Sequence, residues 1–292
     1  MYIRNNTVAG FFGIESGGSS LSIGSPFGEL IQSHGYENTI LLGKERTLYD
    51  YDLQCIYEFC KKYSHNILTI LCEGLSSARG NGTRRWINTQ DERSNFSVNI
   101  FITLPKNQYQ SVQDLQERIA MGIMTTLSGV STRHINIAYP FHFLQDGGKI
   151  AGHLVQKKNI DKNTEFLRIG IGINTNTQVP RLPDNDELAQ RLYGQPSTLS
   201  LEPSRWIALA NNLRENIIHS LESSRHDDYL NSLNIENGDT VEITHDNGTI
   251  SFGEILKRGQ FDTINTDGKI HLIGEMRTLE LGDYHMRLIR RN

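Results

Sequence analysis

Cysteine is scarce in this sequence, and its distribution excludes two classes of protein. The 292 residues include three cysteines, Cys55, Cys60 and Cys72, which lie in one short stretch. Secreted disulfide scaffolds carry larger, even sets of cysteines, and structural zinc sites carry paired CxxC spacings, neither of which occurs here. A chain of this length can bury a sizeable core of its own. Neither a disulfide framework nor a structural metal is therefore required.

Long apolar runs and an excess of one charge are also missing. No run approaches the roughly 20 apolar residues that cross a bilayer, and the first residues lack the basic-then-apolar pattern of a signal peptide. With 29 basic and 33 acidic residues, the formal net charge is -4, which argues against a dedicated nucleic-acid binder. We therefore expect a cytoplasmic protein that binds neither a membrane nor nucleic acid.

Periodicity divides the chain into three parts. Residues 1–38 are rich in Gly, Ser and Asn without a sustained period, which predicts an irregular N-terminal segment. Residues 39–232 mix strand-like and helix-like runs, which predicts an α+β domain. From residue 233 to 292, short alternating runs are separated by turns such as Asn247-Gly248 and Asp267-Gly268, which predicts a small β-barrel.

The elements of the middle part follow from the same patterns. Strands are expected over residues 39–50, 66–72, 96–104, 134–139, 149–156 and 166–174. Helices are expected over 52–63, 111–127, 186–193 and 203–223. The turn at Asp146-Gly147 predicts a hairpin whose second strand begins at Lys149.

A polar loop between two of the predicted strands carries three arginines. Residues 78–86 read Ala-Arg-Gly-Asn-Gly-Thr-Arg-Arg-Trp. Backbone N–H groups of such a loop can bind an anion, to which Arg79, Arg84 and Arg85 add charge. Its glycines would let a phosphate approach the backbone closely. On residue types alone, a basic surface loop without a ligand is an equal alternative.

Two predicted strands carry further candidate binding groups. Lys149 opens one strand just after the turn, where a rigid element can hold its ammonium against an anion, and Gly152 lies within the same strand. In the other, Gly170 and Gly172 alternate with isoleucines and leave one face bare, so that a flat ring could lie there. A hairpin with a solvated lysine and close packing between strands are the alternatives. The glycines do not form the dinucleotide-binding GxGxxG motif.

The order of these segments resembles that of the biotin protein ligases, in the biotin/lipoate ligase superfamily. Residues 149–154, 170–174 and 197–201 carry the resemblance most closely, and it extends from about Thr39 to the C-terminus. It implies a class II synthetase-like catalytic domain, with a mixed sheet and flanking helices, over residues 39–232. It also implies that residues 233–292 form an SH3-like barrel. Because residues 1–38 are too short and glycine-rich for a helix-turn-helix region, we expect no DNA-binding domain there.

The resemblance implies an ATP-dependent reaction in two steps. Biotin and MgATP would give biotinyl-5′-AMP and pyrophosphate, and the biotinyl group would then pass to a lysine of a biotin carboxyl carrier domain. ATP and Mg²⁺ are the implied cofactors, with Mg²⁺ entering on the ATP phosphates rather than on protein ligands. A homodimer formed through exposed sheet edges is a further expectation.

Carried over by position, the resemblance assigns roles to individual residues. Lys149 would contact the biotinyl carboxylate and the phosphate, and Arg79 would belong to the loop that closes over the adenylate, so these two are the implied catalytic residues. The implied biotin- and adenylate-binding residues are Gly80, Asn81, Gly82, Arg84, Trp86, Gly152, Gly172 and Asn174.

Three segments depart from the family pattern. Asn81 stands where a second arginine usually orders the loop, Phe141-His142 where an Asn-Asp pair lies near the metal and phosphates, and residues 50–52 where a Ser-Thr-Asn motif touches biotin. His142 would act as an acid or base, or pack beside Tyr139. The departures leave two other functions open. One is a ligase for another carboxylate such as lipoate, and the other is a non-catalytic ligand- or protein-binding descendant.

Overall fold

The computed structural model describes most of the predicted catalytic domain and the strands that follow it. The described residues are 39–42, 50–62, 66–72, 95–109, 112–138, 141–175, 196–223, 225–233, 240–245, 250–255, 270–273, 278–279 and 284–290. No helix within these ranges is long and apolar enough to cross a membrane.

Helices and strands alternate irregularly along the described chain. The helices are α1 (Asp50–Lys62), α2 (Val112–Val130), α3 (Trp206–Leu221, preceded by a 3-10 turn at Pro203–Arg205) and α4 (His226–Ser232). The strands of the first sheet are β1 (Thr39–Leu42), β2 (Ile67–Cys72), β3 (Asn95–Pro105), β4 (Ile135–Ala138), β5 (His142–Gln145), β6 (Gly148–Asn159) and β7 (Thr164–Asn174). The strands of the second sheet are β8 (Thr240–His245), β9 (Ile250–Ile255), β10 (Ile270–Ile273), β11 (Thr278–Leu279) and β12 (Tyr284–Arg290).

The first sheet is mixed. Its strands are hydrogen-bonded in the order β1-β2-β3-β7-β6-β5-β4. The β1–β2 pair is parallel, whereas β2–β3, β3–β7, β4–β5 and β5–β6 are antiparallel. A mixed sheet with flanking helices is the predicted fold class, and this prediction is confirmed.

The chain divides into two compact units, each built from several segments. The first unit comprises residues 1–108, 154–176 and 200–214. Its helix α1 buries Leu53, Ile56 and Cys60, which recur every three to four residues and so share one helix face. Burial raises the pKa of the Cys60 thiol to about 12, so this cysteine stays a protonated core residue rather than a nucleophile.

Aromatic contacts show which sides of the first unit's strands are covered. The ring of Tyr57 on α1 meets Phe166 of β7 edge-on, with centroids 5.5 Å apart. The ring of Trp206 lies 5.0 Å from that of Phe96 on β3, which pairs with Ile173 of β7. Because residues 166 and 173 of one strand point to opposite sides, α1 and the start of α3 cover opposite faces.

The second unit comprises residues 109–153, 177–199 and 215–292. Its helix α2 buries Leu115, Ile119, Ile123 and Leu127 at a spacing of four, as the sequence predicts. Strands β4 and β5, the start of β6, the end of α3 and helix α4 belong to the same unit.

The C-terminal strands form a separate five-stranded sheet. Its order is β11-β10-β9-β8-β12, and every adjacent pair is antiparallel. Strands are thus present within residues 233–292, as the short alternating runs predict. Closure into an SH3-like barrel stays a prediction, as do the domain boundaries at residues 38/39 and 232/233.

Some of the predictions need correction, and others lie outside the described residues. Of the strand expected over 39–50, Thr39–Leu42 form β1, whereas residue 50 belongs to helix α1. Strand β6 has its hairpin partner in β5, a strand that the sequence analysis missed, rather than in the strand near residues 134–139. Helix α4 was not among the predicted helices. The segment 1–38 and the helix expected over 186–193 lie outside the described residues.

Candidate functional site

Lys149 lies at a bulge in the β5–β6 hairpin. The turn is formed by Asp146 and Gly147, both with positive φ (51° and 76°), the conformation that suits two-residue hairpins. The pairing register then shifts between Phe143 and Leu144, and Lys149 stands opposite Leu144. The Lys149 side chain is half-buried. The turn and the lysine near the start of the second strand are confirmed, although the first strand is β5. The bulge adds a local change of side-chain direction.

The backbone of Lys149 is held from outside the hairpin. The N–H of Ser197 donates to the carbonyl of Lys149 at 2.8 Å. The amide of Gln145, 8% exposed, donates to the carbonyl of Thr198 at 3.4 Å and accepts from the hydroxyl of Ser131 at 2.8 Å. Residues 196–198 are thereby tied to both hairpin strands, which restrains the position of Lys149.

His142 and Gly152 share the face of the hairpin that carries Lys149. Opposed residues of antiparallel strands point to the same side. Leu144 opposes Lys149, and His142, two residues earlier, opposes Gly152. Because Gly152 has no side chain, the half-buried His142 imidazole and the Lys149 stem border a bare strip of backbone. This face can therefore combine a cation with a proton-exchanging group.

The opposite face of the hairpin is an aromatic cluster around His153. The His153 ring lies 5.0 Å from that of Phe141 and 6.0 Å from that of Phe143, and Phe141 also packs against Tyr229 of α4. Burial, and to a smaller extent the charge of Lys149, lower the pKa of His153 to about 3. Both ring nitrogens are buried without a hydrogen-bond partner among the described residues. His153 is therefore neutral at physiological pH.

Metal ligation by Phe141 is excluded by its chemistry and by its packing in this cluster, where it is 5% exposed. Within the described ranges, no group of three or more His, Cys, Asp or Glu side chains lies close enough to hold a metal ion.

The first unit carries the glycine-bearing strand. Gly170 and Gly172 of β7 oppose Asn99 and Ser97 of β3, and both glycines are half-buried. The intervening isoleucines are buried on the other face, as the sequence predicts. Asn174 ends the strand at 7% exposure.

A buried arginine on the same strand face was not among the predicted site residues. The Nε of Arg168 donates to Asn99 Oδ1 at 2.8 Å, and its Nη1 donates to Gln156 Oε1 at 2.8 Å. Arg168 is 9% exposed and Asn99 is 1% exposed. A charged residue within an otherwise apolar run, Phe-Leu-Arg-Ile-Gly, was the available sequence signal.

The structure brings together only some of the predicted site residues. Lys149, Gly152 and His142 lie on one hairpin of the second unit, and Gly172 and Asn174 lie on one strand of the first. The predicted loop residues lie outside the described residues: Arg79, Gly80, Asn81, Gly82, Arg84 and Trp86. The same holds for Tyr139 and for the side chains of residues 50–52.

Comparison with known proteins finds similarity in fold. No protein-family model matches the sequence, and no curated protein matches it in a sequence search. The biotin protein ligase from Aquifex aeolicus in complex with biotin and ATP matches with a TM-score of 0.59 at 14% identity, covering 87% of this chain and 100% of the ligase.

Two further structures of the Aquifex aeolicus ligase agree. Its apo form and a mutant in complex with biotin each give a TM-score of 0.55 at 13% identity and cover 87% of this chain. The match spans 100% of the apo ligase chain and 99% of the mutant chain. The protein therefore has the fold of these ligases.

Proposed function

We propose that the protein is an ATP-dependent biotin protein ligase. It would convert biotin to biotinyl-5′-AMP and transfer the biotinyl group to a lysine of a biotin carboxyl carrier domain. The observation that carries the proposal is the placement of Lys149, a half-buried cation on a tied-down bulge beside the bare backbone of Gly152. The fold shared with a ligase solved with biotin and ATP supports it.

Lys149 has the properties that the activation step requires. A carboxylate oxygen attacks the α-phosphorus of ATP, a new P–O bond forms, and the bond to the β-phosphate oxygen breaks as pyrophosphate leaves. Negative charge gathers on the phosphoryl oxygens, and a pre-positioned ammonium stabilises it without reorganising. The tie between Lys149 and Ser197 supplies that positioning.

His142 is proposed to act in the transfer step. The acceptor lysine must lose a proton before its amine attacks the acyl carbon and AMP leaves. His142 is a half-buried imidazole on the face of Lys149 and can take such a proton. Arg79, Gly80, Asn81, Gly82, Arg84 and Trp86 are proposed to close over the adenylate, and Asn174 and Gly172 to border its base.

The proposal is tested by biotin-dependent exchange between ATP and labelled pyrophosphate. We expect Lys149→Met to lower exchange by ~100-fold or more, because the ammonium acts on the charge that develops during reaction. Lys157→Met is the matched control, since Lys157 lies on the same strand in an ion pair with Glu165 at 3.2 Å. His142→Gln should keep exchange and slow transfer to a carrier domain. Wild-type exchange in Lys149→Met would contradict the proposal.

The packing of Phe141 favours one second candidate, a non-catalytic binding protein built on the ligase fold. Phe141 stands where the resemblance implies a polar residue near the phosphates, and it is buried against His153 and Tyr229. Tight binding of biotin or carrier domain without any pyrophosphate exchange by the wild-type protein would favour this candidate over the ligase.

A further inference from the structure

One end of the first unit carries a group of lysines. It comprises the last turn of α1 and two chain turns, the one that follows β3 and the one that joins β6 to β7. We call it the lysine surface, and its lysines are Lys61, Lys62, Lys106, Lys157, Lys158 and Lys162. All of them are exposed except Lys158, which is half-buried.

Backbone contacts hold the two turns side by side. Strands β3 and β7 pair as far as Pro105, which stands opposite Thr164. The next residue, Lys106, donates its N–H to the carbonyl of Asn163 at 2.8 Å. Lys106 and Lys162 therefore project from adjacent turns of the chain.

The end of α1 lies close to the same turns. The pKa of Asp161 is lowered, mainly because the backbone N–H of Asn163 donates to its carboxylate at 2.7 Å, and additionally by the charge of Lys61. The second effect requires the Lys61 ammonium to lie near the turn between β6 and β7. Lys61 thus belongs to the same surface as Lys162.

The carboxylates of this region do not balance its lysines. Glu165 is 3% exposed and forms its ion pair with Lys157, Asp161 accepts a hydrogen bond from its own turn, and Glu58 lies one helical turn before Lys61. Three carboxylates accompany six lysines, in a chain whose formal net charge is -4. The lysine surface is therefore a positive region on a negatively charged protein, and it attracts anions locally.

The residues around the lysines indicate which kind of anion fits. Residues 105–108 and 157–165 contain neither arginine nor an aromatic residue, and their one large apolar residue, Ile160, is half-buried. Surfaces that bind nucleic acid use arginine forks on phosphates and aromatic rings on bases. Segments that bind membranes insert bulky apolar side chains. Lysine ammonium groups are mobile point charges, which suit separate carboxylates on a protein.

We propose that the lysine surface docks an acidic segment of a partner protein, in which several Asp or Glu side chains lie close together. The inference goes beyond the proposed function, because none of these lysines is assigned to the ligase reaction. Attraction between opposite charges speeds the encounter of two proteins and weakens as salt is added.

The test measures binding by calorimetry with three anionic probes. They are a poly-L-glutamate peptide, a DNA duplex of equal total charge, and vesicles that contain phosphatidylserine. We expect the full chain to bind poly-L-glutamate in preference to the other two at low ionic strength, and less tightly as salt is added. Lys162→Glu should weaken binding of the peptide by ~3-fold or more. Lys61→Glu, Lys106→Glu and Lys162→Glu together should weaken it by ~10-fold or more.

Arg205→Glu is the matched control, because it makes the same change of charge at another exposed residue of the first unit. Arg205 precedes α3, which covers the face of the sheet opposite to α1. This variant should change the affinity for the peptide by less than about twofold. Lys162→Arg should bind as the wild type does, because it keeps the charge. If the combined variant does not fold, the single variants decide.

Three results would overturn the inference. The first is the absence of binding to poly-L-glutamate at low ionic strength. The second is binding of DNA or of the vesicles at least as tightly as the peptide, which would assign the surface to a different class of partner. The third is an equal effect of Lys162→Glu and Arg205→Glu, which would mean that the net charge of the chain, and not the lysine surface, governs binding.

Discussion

His153 makes the stability of the protein depend on pH through a single side chain. Its imidazole has a pKa of about 3 in the folded protein against an ordinary value of 6.5, so the unfolded chain takes up the proton first. The neutral His153 imidazole therefore contributes fully to the free energy of unfolding above pH 6.5. This contribution is lost as the pH falls from 6.5 towards 3. By this linkage, unfolding at pH 5 should be easier by about 2 kcal/mol than at pH 7.

The measurement is urea unfolding at a series of pH values. His153→Leu keeps an apolar side chain between Phe141 and Phe143 and should flatten the profile between pH 6.5 and 5. His134→Leu, at an exposed histidine of the same unit, is the control and should keep the wild-type slope. A His153→Leu profile as steep as the wild type would show that other groups set the acid sensitivity.

The positions of single residues could be predicted where the residue type and its neighbours in the sequence indicate the local structure. Lys149 follows a turn signature, and its position on the hairpin followed from that signature. The role of His153 did not, because the bulge between Phe143 and Leu144 decides which face each β6 side chain joins. A bulge shifts the period of two by one residue, and no pattern in the sequence announces it.

At the scale of elements, helices α2 and α3 meet at a glycine. A Cβ on Gly122 would lie 2.6 Å from the Cα of Ile217, which is closer than two non-bonded carbon atoms can approach. Asn216 bonds to Thr126 at 2.9 Å beside this contact. We expect Gly122→Ala to destabilise the protein by ~1–3 kcal/mol or more, because the two backbones must separate.

Gly129 of the same helix provides the matched control. A Cβ built there meets nothing within 4 Å, and the residue is exposed. Gly129→Ala should therefore stabilise the protein by ~0.5–1 kcal/mol through helix propensity. In chemical unfolding, the two variants should change the free energy of unfolding in opposite directions. Shifts of the same sign would mean that propensity, not the helix contact, governs position 122.

Long elements were predicted well and short ones were missed. Helix α2 and strand β7 repeat their apolar residues over many positions, so the period is unambiguous. Strand β5 has four residues and helix α4 has seven, too few to establish a period. Both are held by tertiary contacts, such as the packing of Phe141 on Tyr229, which a one-dimensional pattern does not contain.

For the whole molecule, the order of elements was more informative than residue identity. The sequence matches no family model, and fold matches share 13–14% of residues. The fold nevertheless follows from the succession of strands, helices and turns, because alternation and helical spacing tolerate exchange among apolar residues. Catalytic competence does not follow in this way, since Phe141 and Asn81 change chemistry without changing pattern.

The proposed reaction predicts how ligands stabilise the whole chain. A ligand that binds only the folded state raises the unfolding free energy by about 2.7 kcal/mol at 100 times its dissociation constant. A non-hydrolysable biotinyl-adenylate analogue combines the contacts of biotin and ATP in one molecule. The entropic cost of binding is therefore incurred once rather than for two separate ligands. We therefore expect the analogue to raise the melting temperature by more than biotin or MgATP does at the same concentration.

Lys149→Met should reduce the shift with the analogue most strongly, because only the analogue places an acyl phosphate linkage against the ammonium. If biotin alone stabilises the protein as much as the analogue does, the nucleotide contributes nothing to binding, and the molecule keeps the acid-binding part of the ligase fold without its chemistry.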